Sequence, residues 1–150
     1  MHVVFICLGN ICRSPMAEAI FIRLVEEAGL SEAISADSCG TDAYHAGERP
    51  HPATLDTLKV HGIEHHTLSR RVEHQDLDAE YVVCMDLGNK RALEERFGPN
   101  ERIHLLLDFA TTKEREVPDP YYTGTFEEVY ELIERGCRGL LRRIREENAL

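Results

Sequence analysis

Apolar positions along this chain fall into short blocks whose spacing alternates between strand and helix. His2-Val3-Val4-Phe5-Ile6-Cys7 is an apolar, β-branched run ending at Gly9-Asn10, the pattern of a buried strand closed by a loop. Ser14-Pro15 then supplies an N-cap and a proline at the first helical position, and Ala17, Ile20, Phe21, Leu24 and Ala28 keep helical spacing until Gly29 offers a C-terminal cap. A weaker strand is predicted from Ile34 to Ser38, a helix from Pro52 to His61 ended by Gly62, and a third strand at Tyr81-Val82-Val83-Cys84. A short polar helix follows through Leu93 and Phe97, stops at Gly98-Pro99, and gives way to a fourth strand from Ile103 to Leu107. The strongest pattern comes last. Phe126, Val129, Tyr130, Ile133, Cys137, Leu140, Leu141 and Ile144 form one stripe with charges opposite, as in a helix laid on a core.

Strands alternating with helices imply an α/β fold with a mainly parallel sheet covered on both faces and joined by right-handed crossovers. No repeat, linker or low-complexity segment interrupts the sequence, so residues 1–150 are expected to form a single domain. In such sheets ligands bind beyond the carboxyl ends of the strands. The first strand ends at Cys7, where the local sequence is also most unusual.

Composition narrows the possibilities. With 43% hydrophobic and 29% charged residues, the chain has the proportions of a protein folded around a core, which excludes disorder and collagen-like structure. Seventeen basic against 27 acidic residues give a formal net charge of -10. Such a surface repels nucleic-acid backbones and anionic lipid, so no nucleic-acid partner is expected and any anion site must be local. No apolar run approaches the length of a membrane span, and Met1-His2 leads into the first strand without a basic leader. Membrane insertion is therefore not expected, and the expected location is cytoplasmic. Five cysteines, at 7, 12, 39, 84 and 137, are an odd and scattered set that reads as reduced thiols. Eight histidines include His61, His65 and His66, but C-x2-C and H-E-x-x-H spacings are missing, so neither metal nor cofactor is expected.

The candidate chemistry lies in Cys7-Leu8-Gly9-Asn10-Ile11-Cys12-Arg13-Ser14-Pro15, a cysteine and an arginine separated by five residues between a strand and a helix N-terminus. Five residues can wrap the backbone so that successive N–H groups turn inward, and the helix dipole reinforces the resulting anion nest. Gly9 permits unusual backbone angles and Asn10 tolerates left-handed ones. A thiol in such a nest meets donors that favour its thiolate. Arg13 presents a planar fork that can hold two oxygens of a phosphoryl group, which lysine cannot copy. Ser14 is placed to donate to the Cys7 sulfur. The G-K-[ST] of a nucleotide-binding loop is missing, which excludes that reading.

With these residues in view, the chain resembles the low-molecular-weight protein tyrosine phosphatases. Cys7-Leu8-Gly9-Asn10-Ile11-Cys12-Arg13-Ser14-Pro15-Met16-Ala17-Glu18 is similar to that family's signature loop, and Asp119-Pro120-Tyr121-Tyr122 to its general-acid loop. Weaker likeness runs through Ser38 to Gly47, His66 and Cys84-Met85-Asp86. The resemblance implies a three-layer fold with a four-stranded parallel sheet, and hydrolysis of phosphotyrosine in proteins through a cysteinyl-phosphate. It makes Cys7 the nucleophile, Arg13 the phosphate clamp and Asp119 the general acid and base. Leu8 to Ser14 would bind phosphate, Asn10 and Ser14 would support the loop, and Ser38 and His66 would stand behind it.

The same resemblance makes Tyr44, Tyr121 and Tyr122 the walls of an apolar cleft deep enough for an aryl phosphate. Many eukaryotic members carry tryptophan where Tyr44 stands. Relatives acting on phosphoarginine carry threonine at the position of Ile11, so the branched apolar side chain favours phosphotyrosine. Cys12 corresponds to a redox partner that forms a reversible disulfide with the nucleophile. Tyrosine-phosphorylated proteins are the implied partners, with phosphate and other oxyanions as inhibitors. Three alternatives stay open: a phosphoarginine phosphatase, an arsenate reductase on the same fold, and an idle anion-binding or redox-sensing module. Arsenate reductases relay a disulfide through a close pair of downstream cysteines, whereas Cys84 here stands alone and the next is Cys137.

Overall fold

A computed structural model describes residues 1–150 and has a wholly parallel four-stranded sheet at its centre. The strands are β1 (His2–Cys7), β2 (Ser35–Gly40), β3 (Tyr81–Cys84) and β4 (Ile103–Leu105), in the order β2-β1-β3-β4. Because β1 and β3 are central and covered on both sides, alternate residues enter two separate cores. Val3, Phe5, Tyr81 and Val83 face one; Val4, Ile6, Val82 and Cys84 face the other. That two-sided burial is why these strands read as unbroken apolar runs.

The larger core is closed by α1 (Arg13–Glu27), α2 (Pro52–Val60) and α5 (Phe126–Asn148), which contribute Phe21, Leu24, Leu58, Ile133 and Leu140. Phe5 and Phe21 meet edge to face at 5.5 Å. Each large side chain sealed there contributes about 1.5–3 kcal/mol. The smaller core lies under α3 (Leu87–Phe97) and a 3₁₀ turn at His74–Asp78, through Leu93 and Leu77. The α/β architecture expected from the alternating pattern is thus the observed one.

Three local expectations change. The first helix begins at Arg13, with Cys12 at the cap position and no side-chain cap bond. Ser14 is therefore inside the first turn and is not the N-cap, because its hydroxyl is engaged elsewhere. The second strand is displaced to Ser35–Gly40, set by its register with β1, in which Cys7 lies opposite Gly40. As an edge strand it can carry Ser35 and Asp37 towards water. The fourth strand stops at Leu105, and Leu106–Phe109 forms a 3₁₀ turn that presses onto α5. Gly136 and Gly139 allow that approach, since a Cβ at Gly136 would meet the Leu106 side chain and one at Gly139 would run into the Phe109 carbonyl. A further element, α4 (Pro120–Thr123), is too short to show in the hydrophobic pattern.

From β1 the chain crosses to β2 on one side and then returns past β1 to β3 on the other. The carboxyl ends of β1 and β3 flank the resulting crevice, the place where ligands enter such sheets. Replacing Gly139 by alanine should lower stability by about 1–3 kcal/mol in urea unfolding, because the obstacle is backbone and cannot rotate away.

Candidate active site

β1 delivers Cys7 to this crevice, and the loop after it is held by its carbonyls. Those of Cys7 and Leu8 accept from the N–H groups of Thr41 and Asp42, at 2.9 and 3.2 Å. The Gly9 carbonyl accepts from the Ser69 hydroxyl at 2.9 Å, and that of Ile11 from the His51 N–H at 2.8 Å. The Cys12 carbonyl is taken by the Met16 N–H and the Thr54 hydroxyl. The carbonyls of Cys7, Leu8, Gly9, Ile11 and Cys12 are thus engaged, while the N–H groups of Leu8 to Cys12 have no partner in the protein. They form an anion nest backed by the N-terminus of a fifteen-residue helix. Asn10 completes the curve with φ 57°, the left-handed conformation expected there.

A buried polar network supports the nest. The Asn10 amide donates to Ser14 Oγ at 2.7 Å and to Ser38 Oγ at 3.0 Å. Ser14 Oγ lies 3.0 Å from Cys7 Sγ; accepting from Asn10, it has its own proton to give to the sulfur. Ser38 donates to Glu18 Oε1 at 2.6 Å, and Glu18 Oε2 meets His65 Nε2 at 2.6 Å. Asn10 Oδ1 accepts from the backbone of Arg70, whose guanidinium grips Asp76 with two bonds and Asp37 with one. Burial works against ionised Asp76, but bonds from Arg70 and the Glu73 N–H outweigh it and hold its pKa below the ordinary carboxylate value.

The position assigned to His66 needs correction. His66 is exposed, and the preceding His65, half-buried, takes the place against Glu18. The two histidines lie in a segment without regular structure, so no periodicity in the sequence could say which of them turns inward.

Arg13 is buried at the base of the crevice. Nη1 donates to Asp86 Oδ2 at 2.7 Å and to the Val117 carbonyl at 2.9 Å, while Nη2 lies 3.6 Å from Asp119 Oδ2. Burial opposes the charge, but the Cys7 sulfur and the Asp86 and Asp119 carboxylates around it more than offset this, so its pKa rises above the usual arginine value. Asp86 also caps α3 through a 2.8 Å bond from the Asn89 N–H. Asp119 is the N-cap of α4: Oδ1 accepts from the Tyr121 N–H at 3.1 Å, and Pro120 occupies the first helical position. One carboxylate oxygen is thereby fixed to the backbone and the other faces Arg13.

Above these groups is a cleft of about 210 Å³ lined by Cys7, Leu8, Gly9, Ile11, Cys12, Arg13, Tyr44, His45, Asp119, Tyr121 and Tyr122. Tyr44 and Tyr122 are 85% and 76% exposed and form a rim, whereas Cys7 is 3% exposed at the floor. Thus the fold gathers every expected loop, acid and wall residue in one place, with Ser38 behind them and His66 left out. Asp86, Glu18, His65 and His45 belong to the site and were not assigned to it from sequence. Asp86 had a usable signal, since it directly follows an apolar strand at the carboxyl edge. Glu18 had another: it stands one helical turn beyond Ser14 on the face that α1 buries.

Burial governs the remaining thiols. Burial, then the nearby Cys7 and Asp119, push the Cys12 thiol up to about 12. Cys39, Cys84 and Cys137 are wholly buried, and burial raises each above the ordinary thiol value.

A parallel α/β sheet with a thiol-bearing anion nest, an arginine fork and a carboxylate at its switch point has the parts of a cysteine-based phosphoryl-transfer enzyme. Comparison with known proteins gives the same class. Residues 2–150 match the family described as low molecular weight phosphotyrosine protein phosphatase. The low molecular weight protein-tyrosine-phosphatase YfkJ of Bacillus subtilis is 46% identical, over 100% of this chain and 99% of the relative. Its crystal structure superposes with a TM-score of 0.95, covering 99% of this chain and 96% of that one. A low molecular weight protein-tyrosine-phosphatase of Streptomyces coelicolor is 41% identical over 97% of this chain and 94% of its own. The crystal structure of a Drosophila arginine phosphatase is 34% identical, with a TM-score of 0.90 over 97% of this chain and 98% of that one. The chain belongs to the low molecular weight phosphotyrosine protein phosphatase family.

Two outcomes test the electrostatics. In a Cys7→Ser protein, the alkylation rate of Cys12 should climb about tenfold per pH unit from about pH 8 to 10, where an ordinary thiol levels off. The Asp76 contribution to stability, complete above the unfolded carboxylate pKa of about 3.9, should be lost as pH falls through the lower folded value. Urea titrations of Asp76→Asn should accordingly show a flatter decline below about pH 5 than the parent protein.

Proposed function

We propose that this protein hydrolyses phosphotyrosine in proteins through a cysteinyl-phosphate formed on Cys7. The observation that carries the reading is the convergence of unpaired backbone donors, Cys7, Arg13 and Asp119 at the floor of an aromatic-rimmed cleft. The phosphate dianion sits in the nest with Arg13 across two of its oxygens, and the Cys7 sulfur attacks phosphorus. The phosphorus–oxygen bond breaks, and its electron pair leaves with the phenolic oxygen, which takes the Asp119 proton. The Asp119 carboxylate then removes a proton from water as the water oxygen attacks phosphorus. The sulfur–phosphorus bond breaks, the pair returns to sulfur, and the Ser14 hydroxyl at 3.0 Å stabilises it there.

The cleft's depth selects the substrate. Cys7 lies below a wall of tyrosines, so an aryl phosphate reaches it and a short phosphoserine does not. Likeness to the Drosophila arginine phosphatase keeps phosphoarginine as the second reading. Ile11 on the cleft wall favours the aryl ester. Disulfide relay of the arsenate reductase kind lacks an accessible relay thiol, because Cys84 and Cys137 are wholly buried and only Cys12 shares the cleft.

Tyrosine-phosphorylated proteins of the cytoplasm are the proposed substrates, and phosphate-like oxyanions the proposed inhibitors. Cys12 is the proposed redox partner. Its raised pKa keeps it a thiol during turnover. When peroxide oxidises Cys7 to the sulfenic acid, the Cys12 sulfur displaces hydroxide, lost as water, and forms the disulfide.

Phosphate release should be measured from a phosphotyrosine peptide and from phosphoarginine, with reduced protein in EDTA. The expected result is turnover of phosphotyrosine alone, abolished by Cys7→Ser and lowered about a hundredfold or more by Asp119→Asn. Release from neither substrate overturns the assignment, and preferential release from phosphoarginine replaces it with the second reading.

A further inference from the structure

The segment that carries Asp119 has little to hold it in place by itself. α4 is a single turn, and its hydrogen bonds are local: the Tyr121 N–H to Asp119, the Gly124 N–H to Pro120, and Thr123 to its neighbours. A helix that short has no stability of its own, so tertiary contacts must orient it. Before Asp119 the chain is pinned at buried Val117, whose N–H donates to the Met85 carbonyl and whose carbonyl accepts from Arg13; Arg13 also approaches Asp119 from below, and buried Pro120 anchors the turn. Beyond Pro120 the grip is aromatic.

We propose that His51 is the positioning residue that docks this acid-bearing turn against the Cys7 loop, an inference that rests on the reading of Asp119 as general acid. Its backbone N–H donates to the Ile11 carbonyl at 2.8 Å, tying it to the nest. Its Nδ1 accepts from the Ala53 N–H at 3.0 Å, which caps α2, fixes the ring's orientation and leaves the ring proton on Nε2. The imidazole so held stacks on Phe126 at 5.2 Å and 27°, and meets Tyr121 edge to face at 5.9 Å and 83°. These are ordinary separations for paired rings. Tyr121 lies two residues after Asp119, and Phe126 begins α5 two residues after the Gly124 that ends α4. Both ends of the acid segment therefore rest on one ring whose backbone belongs to the phosphate loop's scaffold. His45 also meets Tyr121, at 6.4 Å, but its Nδ1 is taken by Glu48 and it makes no contact with Phe126.

The consequence is specific to proton donation. When sulfur attacks phosphorus, the departing oxygen needs the Asp119 proton in proportion to its basicity. A displaced carboxyl therefore penalises basic leaving groups and spares acidic ones, whereas a general loss of structure lowers all substrates alike.

The test is kcat/KM for aryl phosphates from 2,4-dinitrophenyl phosphate to phenyl phosphate. His51→Asn keeps a side-chain oxygen to cap α2 but removes the ring. It should lower kcat/KM for phenyl phosphate about tenfold while changing the dinitrophenyl ester less than about twofold. His51→Phe keeps the ring and loses the cap, so it should restore most of the phenyl phosphate rate while lowering Tm. Equal losses on all esters, or no loss on any, overturn the inference. Asp119→Asn run alongside separates the two readings: if it alone steepens the dependence, the positioning role fails; if it does not, the acid assignment fails and this inference with it.

Discussion

A five-residue turn that keeps its N–H groups unpaired is stable only if something else takes its carbonyls, and the architecture around the cleft meets that constraint. Peptide groups cannot be buried half-satisfied without cost. Here the carbonyls of Cys7, Leu8, Gly9, Ile11 and Cys12 are claimed by the stretch after β2, by Ser69, by His51 and by α2. The donors are then free for an anion without any protein group having to be displaced first. Binding energy is thus prepared during folding, as a site for a developing negative charge requires.

The same constraint explains the polar network inside an otherwise apolar layer. Asn10 must lie in the left-handed region and its amide must be satisfied, and Ser14, Ser38 and the Arg70 backbone do this together. Glu18 and His65 close the chain on the far side, so a buried carboxylate is not left without partners. Arg70 binds the supporting strap to β2 and to the turn at His74–Asp78 through Asp37 and Asp76. The rigidity of the nest is therefore shared among segments some sixty residues apart in sequence, all held near the carboxyl end of one strand.

Asp86 and Asp119 show how the segments that follow β3 and β4 meet. Each caps a helix with one carboxylate oxygen and turns the other to Arg13. A residue spent on local structure also sets the charge around the guanidinium, so the helix starts and the site are one arrangement. The acid segment is the least self-supporting part of it, which is why its docking against His51 and Tyr121 carries weight out of proportion to its four helical residues.

Local sequence was enough for the features that depend on local physics. The apolar runs of β1 and β3, the helix stops at Gly29, Gly62 and Gly98 and the long stripe of α5 follow from burial and backbone preference, and each lies where its pattern puts it. The loop from Cys7 to Ser14 was equally legible, because an anion nest is made from consecutive residues. What depended on residues distant in sequence could not be read this way. The shift of β2 comes from its pairing with β1, the 3₁₀ turn at Leu106–Phe109 from the glycines of α5, and the exchange of His66 for His65 from the contact of His65 with Glu18, 47 residues away. Asp86 and His51 became parts of the site only when the sheet brought three crossovers to one edge. Spacing along the chain records which faces are apolar and where the backbone turns. Only packing decides which polar side chains meet, because those meetings span distances that no local periodicity encodes.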